Sequence, residues 1–152
     1  MYQRILVPLD GSDTAESGLQ EAIGLAAQLK ARLVLLHIVD DFAMLVEMSA
    51  VANYQDMLKG LRHYGLEVLN KGKHAAENKG VHCETVLREV AQERVADVIV
   101  AQAKQHHCEL VVMGTHGRRG FSRMALGSNA ELVARTSPVP VLLIRREEPA
   151  KP

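Results

Sequence analysis

The chain has 152 residues, 47% of them hydrophobic, with 18 Lys plus Arg against 18 Asp plus Glu. That length suits one domain able to bury a core without disulfides or a structural metal. A formal net charge of zero provides no global field toward nucleic acid, an anionic membrane or acidic substrates, so any anion site must be local.

Arg4 to Asp10, RILVPLD, is a brief aliphatic run stopped by the turn residues of DGSD, which predicts a strand and then a loop. The run is of strand length and lacks the pattern of a secretory leader, so none is expected. From Asp13, DTAESGLQEAIGLAAQLKA sets Leu19, Ala22, Ile23, Ala26 and Ala27 at helical spacing. A helix of about four to five turns follows, with Asp13 and Glu16 in capping-box register. Arg32 to Asp40, RLVLLHIVD, is short and continuously apolar, as in a strand covered on both faces.

Asp41 to Asp56 is dense in apolar residues without a clear period and reads as a mobile or partly helical connection. The methionines within Phe42 to Val51 suit a packed lid, a dimer contact or a partner surface, and packing is their commonest use. From Tyr54, residues Met57, Leu58, Leu61, Tyr64, Gly65, Val68 and Leu69 mark one helical face that ends at Asn78 to Gly80. VHCETVLRE predicts a third strand, VAQERVADVIVAQAKQHHC a helix carrying Val95, Val98, Ile99 and Ala103, and ELVVMG a fourth strand. No run approaches the roughly 18 apolar residues of a membrane span.

Cys83 and Cys108 each lead into apolar sequence and read as reduced core cysteines, which fits a cytoplasmic setting. His37 and His82 fall in strands and read as core or rim imidazoles. HHC, His106 to Cys108, has no second ligand cluster and does not spell a zinc site. Beyond a glycine- and arginine-bearing stretch, NAELVAR predicts a short helix. SPVPVLLIRR is the last strand, with Pro138 and Pro140 suited to the start of a sheet edge. Residues 147–152 read as a flexible tail after a single domain of residues 1–146.

Alternation of strand and helix to a fifth strand predicts an α/β fold: an open parallel sheet with helices on both faces. Ligands of such sheets sit beyond the carboxyl ends of the strands. The loops after the first and fourth strands are therefore the candidate site. Gly114 and Gly117 would let backbone amides approach an anion, and Gly127, Ser128 and Asn129 open a helix whose free amides can hold phosphate. Ser128 to Glu131 is also an ordinary capping box, drawing on the same amides. Asp10 suits either a cap or turn or a ligand role. Arg118, Arg119 and Arg123 suit either the positive end of the site or a solvated surface. The stretch is neither a Walker A loop nor G-x-G-x-x-G after a first strand, and no nucleophile elbow is present in the chain.

What is spelled is G-x2-G-x9-G-S-N, by Gly114, Gly117, Gly127, Ser128 and Asn129. Placed after the fourth strand and joined to the N-terminal ILVPLDGSD, it closely resembles the nucleotide-binding branch of the universal stress protein family, over nearly the whole chain. The resemblance implies a Rossmann-like sheet ordered 3-2-1-4-5 and an ATP, ADP or AMP bound between the loops after strands 1 and 4. It implies Pro8 and Leu9 beside the nucleoside and Asp10 near the ribose and phosphates, where its carboxylate could help hold Mg2+. Ser12 completes that first loop. It also implies that the Val39 backbone meets adenine, that Met113 and Gly114 border the nucleoside, and that Gly117, Gly127, Ser128 and Asn129 receive phosphate. His116 and Arg118 occupy variable positions of the motif. A homodimer through the last strand, Val139 to Ile144, is likewise implied; the alternative is an edge protected by its prolines and arginines.

The leading expectation is a cytoplasmic stress-response regulator that binds ATP and uses occupancy to bias a conformation or an unidentified protein partner. No general base is placed to orient water, so any hydrolysis is expected to be slow. The rivals are a slow ATPase or nucleotidyl-transfer enzyme, and a nucleotide-independent dimeric interaction module, against which the intact glycine spacing speaks.

Overall fold

A computed structural model describes residues 1–40, 54–116 and 125–146. The expectations for Phe42 to Val51, for Gly117, Arg118, Arg119 and Arg123, and for the tail lie outside the described residues. Five strands, β1 (Arg4–Pro8), β2 (Arg32–Asp40), β3 (Cys83–Val90), β4 (Leu110–Gly114) and β5 (Val141–Ile144), form one sheet. With them run α1 (Asp13–Leu29), α2 (Tyr54–Glu77), α3 (Val95–Gln105) and α4 (Ser128–Thr136). Every strand pair is parallel and the order is β3-β2-β1-β4-β5, as the resemblance implied.

The continuous apolar runs of β1, β2 and β4 follow from burial on both sides. Ile5, Val7, Leu9, Leu33, Leu35, Leu110 and Val112 turn to one face and pack with Leu19, Ala22 and Ile23 of α1 and Leu69 and Ala76 of α2. Leu6, Val34, Leu36, Val111 and Met113, the alternate positions, pack with Ala96, Ile99 and Ala103 of α3 and Ala130 and Val133 of α4. Each fully buried Leu or Val contributes about 1.5–3 kcal/mol relative to exposure. This parity sorts the candidate residues within and next to the strands: Pro8 and Met113 share the register of the α3/α4 face, whereas Leu9, Val39 and Gly114 share that of the α1/α2 face.

The helix expected from Val90 starts only at Val95, because Arg94 is extended (φ −73, ψ 136). The strand expected from Ser137 starts at Val141: Pro138 and Pro140 have no N–H, and the Val139 amide donates to Ser137 Oγ at 3.3 Å. His82 precedes β3 and is exposed rather than a core imidazole. Cys108 is buried and Cys83 half-buried, both as free thiols. No helix among the described residues is long and apolar enough to cross a membrane.

The expected capping box at Asp13 is replaced by a cap one residue earlier. Ser12 Oγ accepts from the Ala15 amide at 3.1 Å, and Ser12 is extended (φ −74, ψ 156). Asp13 is the first helical residue; its Oδ2 lies 2.6 Å from Arg146 Nη1, while Glu16 Oε1 accepts from Gln20 Nε2 at 2.9 Å. Gly11, at φ +82, provides the left-handed turn that brings Ser12 to the cap.

Candidate functional site

The loop after β1 is built as a side-chain turn. Asp10 Oδ1 accepts the Ser12 amide at 2.9 Å, so the carboxylate is tied to its own loop at the strand end. Leu9 is anchored by its side chain and by both of its backbone polar groups. Its side chain is only 5% exposed and packs in the α1/α2 core. Its amide extends the sheet ladder to the Leu36 carbonyl at 2.7 Å, and its own carbonyl accepts from His37 Nδ1 at 2.8 Å.

Two residues of this support are not among the site residues read from sequence. His37, 6% exposed, bonds Leu9, and the Tyr64 hydroxyl reaches the Asp10 carbonyl at 3.5 Å. The signal available was the histidine itself: an imidazole inside an apolar strand must find a hydrogen-bond partner nearby. The partner's identity was not readable.

At the end of β4, Met113 is buried on the α3/α4 face. The space that a Cβ on Gly114 would take is filled by Thr14, whose carbonyl carbon would lie 2.8 Å away. What demands glycine there is the seating of α1 on β4. Thr115 donates its amide to Ile144 O at 2.9 Å, and its carbonyl accepts from the Gly127 amide at 2.8 Å. A Cβ on Gly127 would stand 2.9 Å from that same carbonyl oxygen.

His116 closes the base of the same loop. Nε2 bonds the Ala125 carbonyl and Nδ1 lies 2.9 Å from Thr115 Oγ1. Because a carbonyl only accepts, Nε2 donates to it. Nε2 thus ties His116 to Ala125, nine residues on, while Nδ1 is engaged by the neighbouring Thr115.

The expected Ser128 to Glu131 capping box does not form. Gly127 is the N-cap of α4 (φ −60, ψ 146), with no side-chain cap, and Ser128 is already helical. Glu131 Oε1 accepts from Arg135 Nη2 at 2.8 Å instead of reaching back. Gly127 takes the cap because only a residue without Cβ fits beside Thr115 O. The N-cap residue consequently supplies no side-chain oxygen to the positive end of the helix dipole.

That helix end borders a cleft of about 650 Å³, lined by Asp40, Ala91, Gln92, Glu93, Arg94, Val95, Ser128, Asn129 and Leu132. Ser128 and Asn129 meet it directly, and Asp40 does so beside Val39, which is buried. The Arg94 guanidinium is turned to Asp97, with contacts of 2.7 and 3.2 Å. Leu9, Gly11 and Ser12 line a different groove, of about 290 Å³, between α1 and α2. The candidate residues thus surround the strand ends from both faces. The larger cleft lies between the end of β2, the connection from β3 to α3 and the first turn of α4, so one of its walls is the helix that follows β4.

A family model described as the universal stress protein family matches residues 1–145. Universal stress protein MJ0531 of Methanocaldococcus jannaschii is 33% identical over 146 residues, which span 96% of this chain and 84% of that one. The solved structure of MJ0577, from the same organism, is 26% identical with a TM-score of 0.85, covering 98% of this chain and 99% of that one. The universal stress protein of Archaeoglobus fulgidus in complex with dAMP shares the fold at 22% identity and a TM-score of 0.66, covering 94% of this chain and 98% of that one.

Proposed function

The chain belongs to the universal stress protein family, and from that premise we propose that it binds an adenine nucleotide, ATP or its ADP and AMP relatives, beyond the carboxyl edge of its sheet. The observation that carries this reading is the uncapped start of α4. Gly127, as the N-cap, has no side chain with which to satisfy the first-turn amides, and Ser128 and Asn129 line a cleft of about 650 Å³. A volume of a few hundred Å³ suits a ligand of nucleotide size. First-turn amides and the helix dipole favour a phosphate there. The dAMP complex of the A. fulgidus protein supports the adenine class.

Asp10, tied down by the Ser12 amide, would stand at the ribose and phosphates and offer a carboxylate oxygen to Mg2+, directly or through water. Occupancy would act as a signal: it would order the loops after β1 and β4 and so alter a surface that a protein partner reads. A cytoplasmic site of action and slow turnover at most accompany this reading. The free edge of β5, where Leu142 is 38% exposed, would pair with a second copy through Val139 to Ile144.

Denaturing the purified protein and identifying what it releases tests the nucleotide directly, alongside calorimetry with ATP in the presence and absence of magnesium. An adenine nucleotide in the extract, or a saturable isotherm, is expected. Neither appearing would sink the reading. Steady multiple turnover of ATP would move the protein to the enzyme class instead.

A further inference from the structure

We infer that His37 is a positioning residue for the nucleotide site: its Nδ1–H fixes the Leu9 carbonyl and, through it, the Asp10 carboxylate, without touching the ligand. The inference rests on the nucleotide reading above.

The Leu9 amide makes the last ladder bond to β2, at 2.7 Å from Leu36 O. Past that point the chain leaves the sheet while still buried, so the Leu9 carbonyl needs a partner that the ladder no longer supplies. His37 Nδ1, 2.8 Å away, provides it. A carbonyl only accepts, so the hydrogen is on Nδ1.

The ring is itself held in place. A Cβ on Gly65 of α2 would lie 2.5 Å from His37 Cδ2, and the Tyr64 ring meets the imidazole edge-on, with centroids 6.0 Å apart at 73°. Tyr64 then extends the support by one peptide. Its hydroxyl reaches Asp10 O at 3.5 Å and sits where a Gly11 Cβ would be, 1.9 Å away. Residues 9 to 11 are thus fixed one after another from β2 and α2.

His37 has the register of Leu33 and Leu35, which face α1 and α2, whereas Asp40 lines the cleft toward α3 and α4. The imidazole therefore acts from behind the site. Losing its donor would let the Leu9–Asp10 peptide rotate, and the Asp10 Oδ1 to Ser12 amide turn with it. The carboxylate would then sample positions that a bound nucleotide does not use, and affinity would fall by the fraction of time spent away.

The test uses the full chain and ATP–Mg2+ calorimetry, with amide hydrogen exchange at Gly11 and Ser12. His37→Phe keeps a ring but no donor. His37→Asn places an amide N–H close to the position of Nδ1. Val81→Ala, at the opposite end of the sheet, is the control for general loss of stability. His37→Phe is expected to bind roughly tenfold more weakly, the scale of one lost hydrogen bond, with faster exchange at both amides. His37→Asn is expected to recover to within about threefold of wild type, and Val81→Ala to bind normally. Wild-type affinity in His37→Phe, an Asn variant as weak as the Phe variant, or equal weakening by Val81→Ala would overturn the inference. Should His37→Phe fail to fold, the Asn variant decides: wild-type-like binding and exchange support the role, and binding tenfold weaker overturns it. A null isotherm for wild type would instead overturn the nucleotide reading itself, along with any effect on affinity.

Discussion

Gly114 lies so close to Thr14 that a Cβ on it would stand 2.7 Å from Thr14 Cγ2 and 2.9 Å from the Thr14 carbonyl oxygen. Gly18 meets the same strand end, where a Cβ would be 3.3 Å from the Gly114 amide nitrogen. Backbone atoms cannot retreat without moving α1. Gly114→Ala is therefore expected to cost about 1–3 kcal/mol, the range for overpacking a filled core. Urea denaturation measures it, and a wild-type midpoint would show that α1 is not seated against β4 as described.

Gly127 brings the start of α4 under the Thr115 carbonyl, 2.9 Å from where its Cβ would be. Gly127→Val is expected to leave the secondary structure intact by circular dichroism while pushing the helix end away from Thr115. ATP affinity should fall by more than about tenfold, since charge-assisted amide contacts are worth that much or more. Undiminished affinity would place the phosphates elsewhere.

Asp10 and Ser12 share a turn but not a role. Ser12→Ala removes the cap on the Ala15 amide and should cost about 1 kcal/mol of stability. Asp10→Asn keeps an oxygen for the Ser12 amide and should melt near wild type. It loses the charge that would engage magnesium. The expected signature is a ratio of ATP affinities with and without Mg2+ that collapses toward unity, read by calorimetry. A ratio equal to that of wild type would remove Asp10 from the metal.

Burial raises the Cys108 thiol from the ordinary 9.0 to about 11, with Arg4 opposing and Glu84 and Glu109 adding to the rise. The folded chain then keeps a proton that the unfolded chain gives up, so this contribution to stability is complete below pH 9.0 and declines as pH rises toward about 11. Cys83 is shifted in the same direction, chiefly by burial. Cys108→Ala should flatten the decline in stability across that window. Native Cys108 should also resist alkylation at pH 8 and react once urea unfolds the chain. Rapid native labelling would contradict its burial.

Much of the architecture was legible because apolar spacing reports directly on burial. Arg32 to Asp40 is β2 with the bounds read from its apolar run, and the helical face read from Met57 to Leu69 lies within α2. The errors fall at boundaries where a hydrogen bond outside the segment decides. Ser12 rather than Asp13 caps α1, because the Asp10 turn places it there. Gly127 displaces Ser128 from the cap of α4, because only glycine fits beside Thr115 O.

The alternation of strand and helix, the doubly covered strands, the family and the two loops at which a nucleotide would be sought can be read from the order of residues alone. All of these are carried by residues near one another in the chain or by a spacing repeated along it. That Thr14 fills the space beside Gly114, that Tyr64 covers Gly11 and that His37 holds the Leu9 carbonyl follows from how the elements pack on one another. Periodicity tells which face a side chain takes; it carries no information about which atom waits on the other side. That choice is made when the helices settle on the sheet and every buried carbonyl must find a donor.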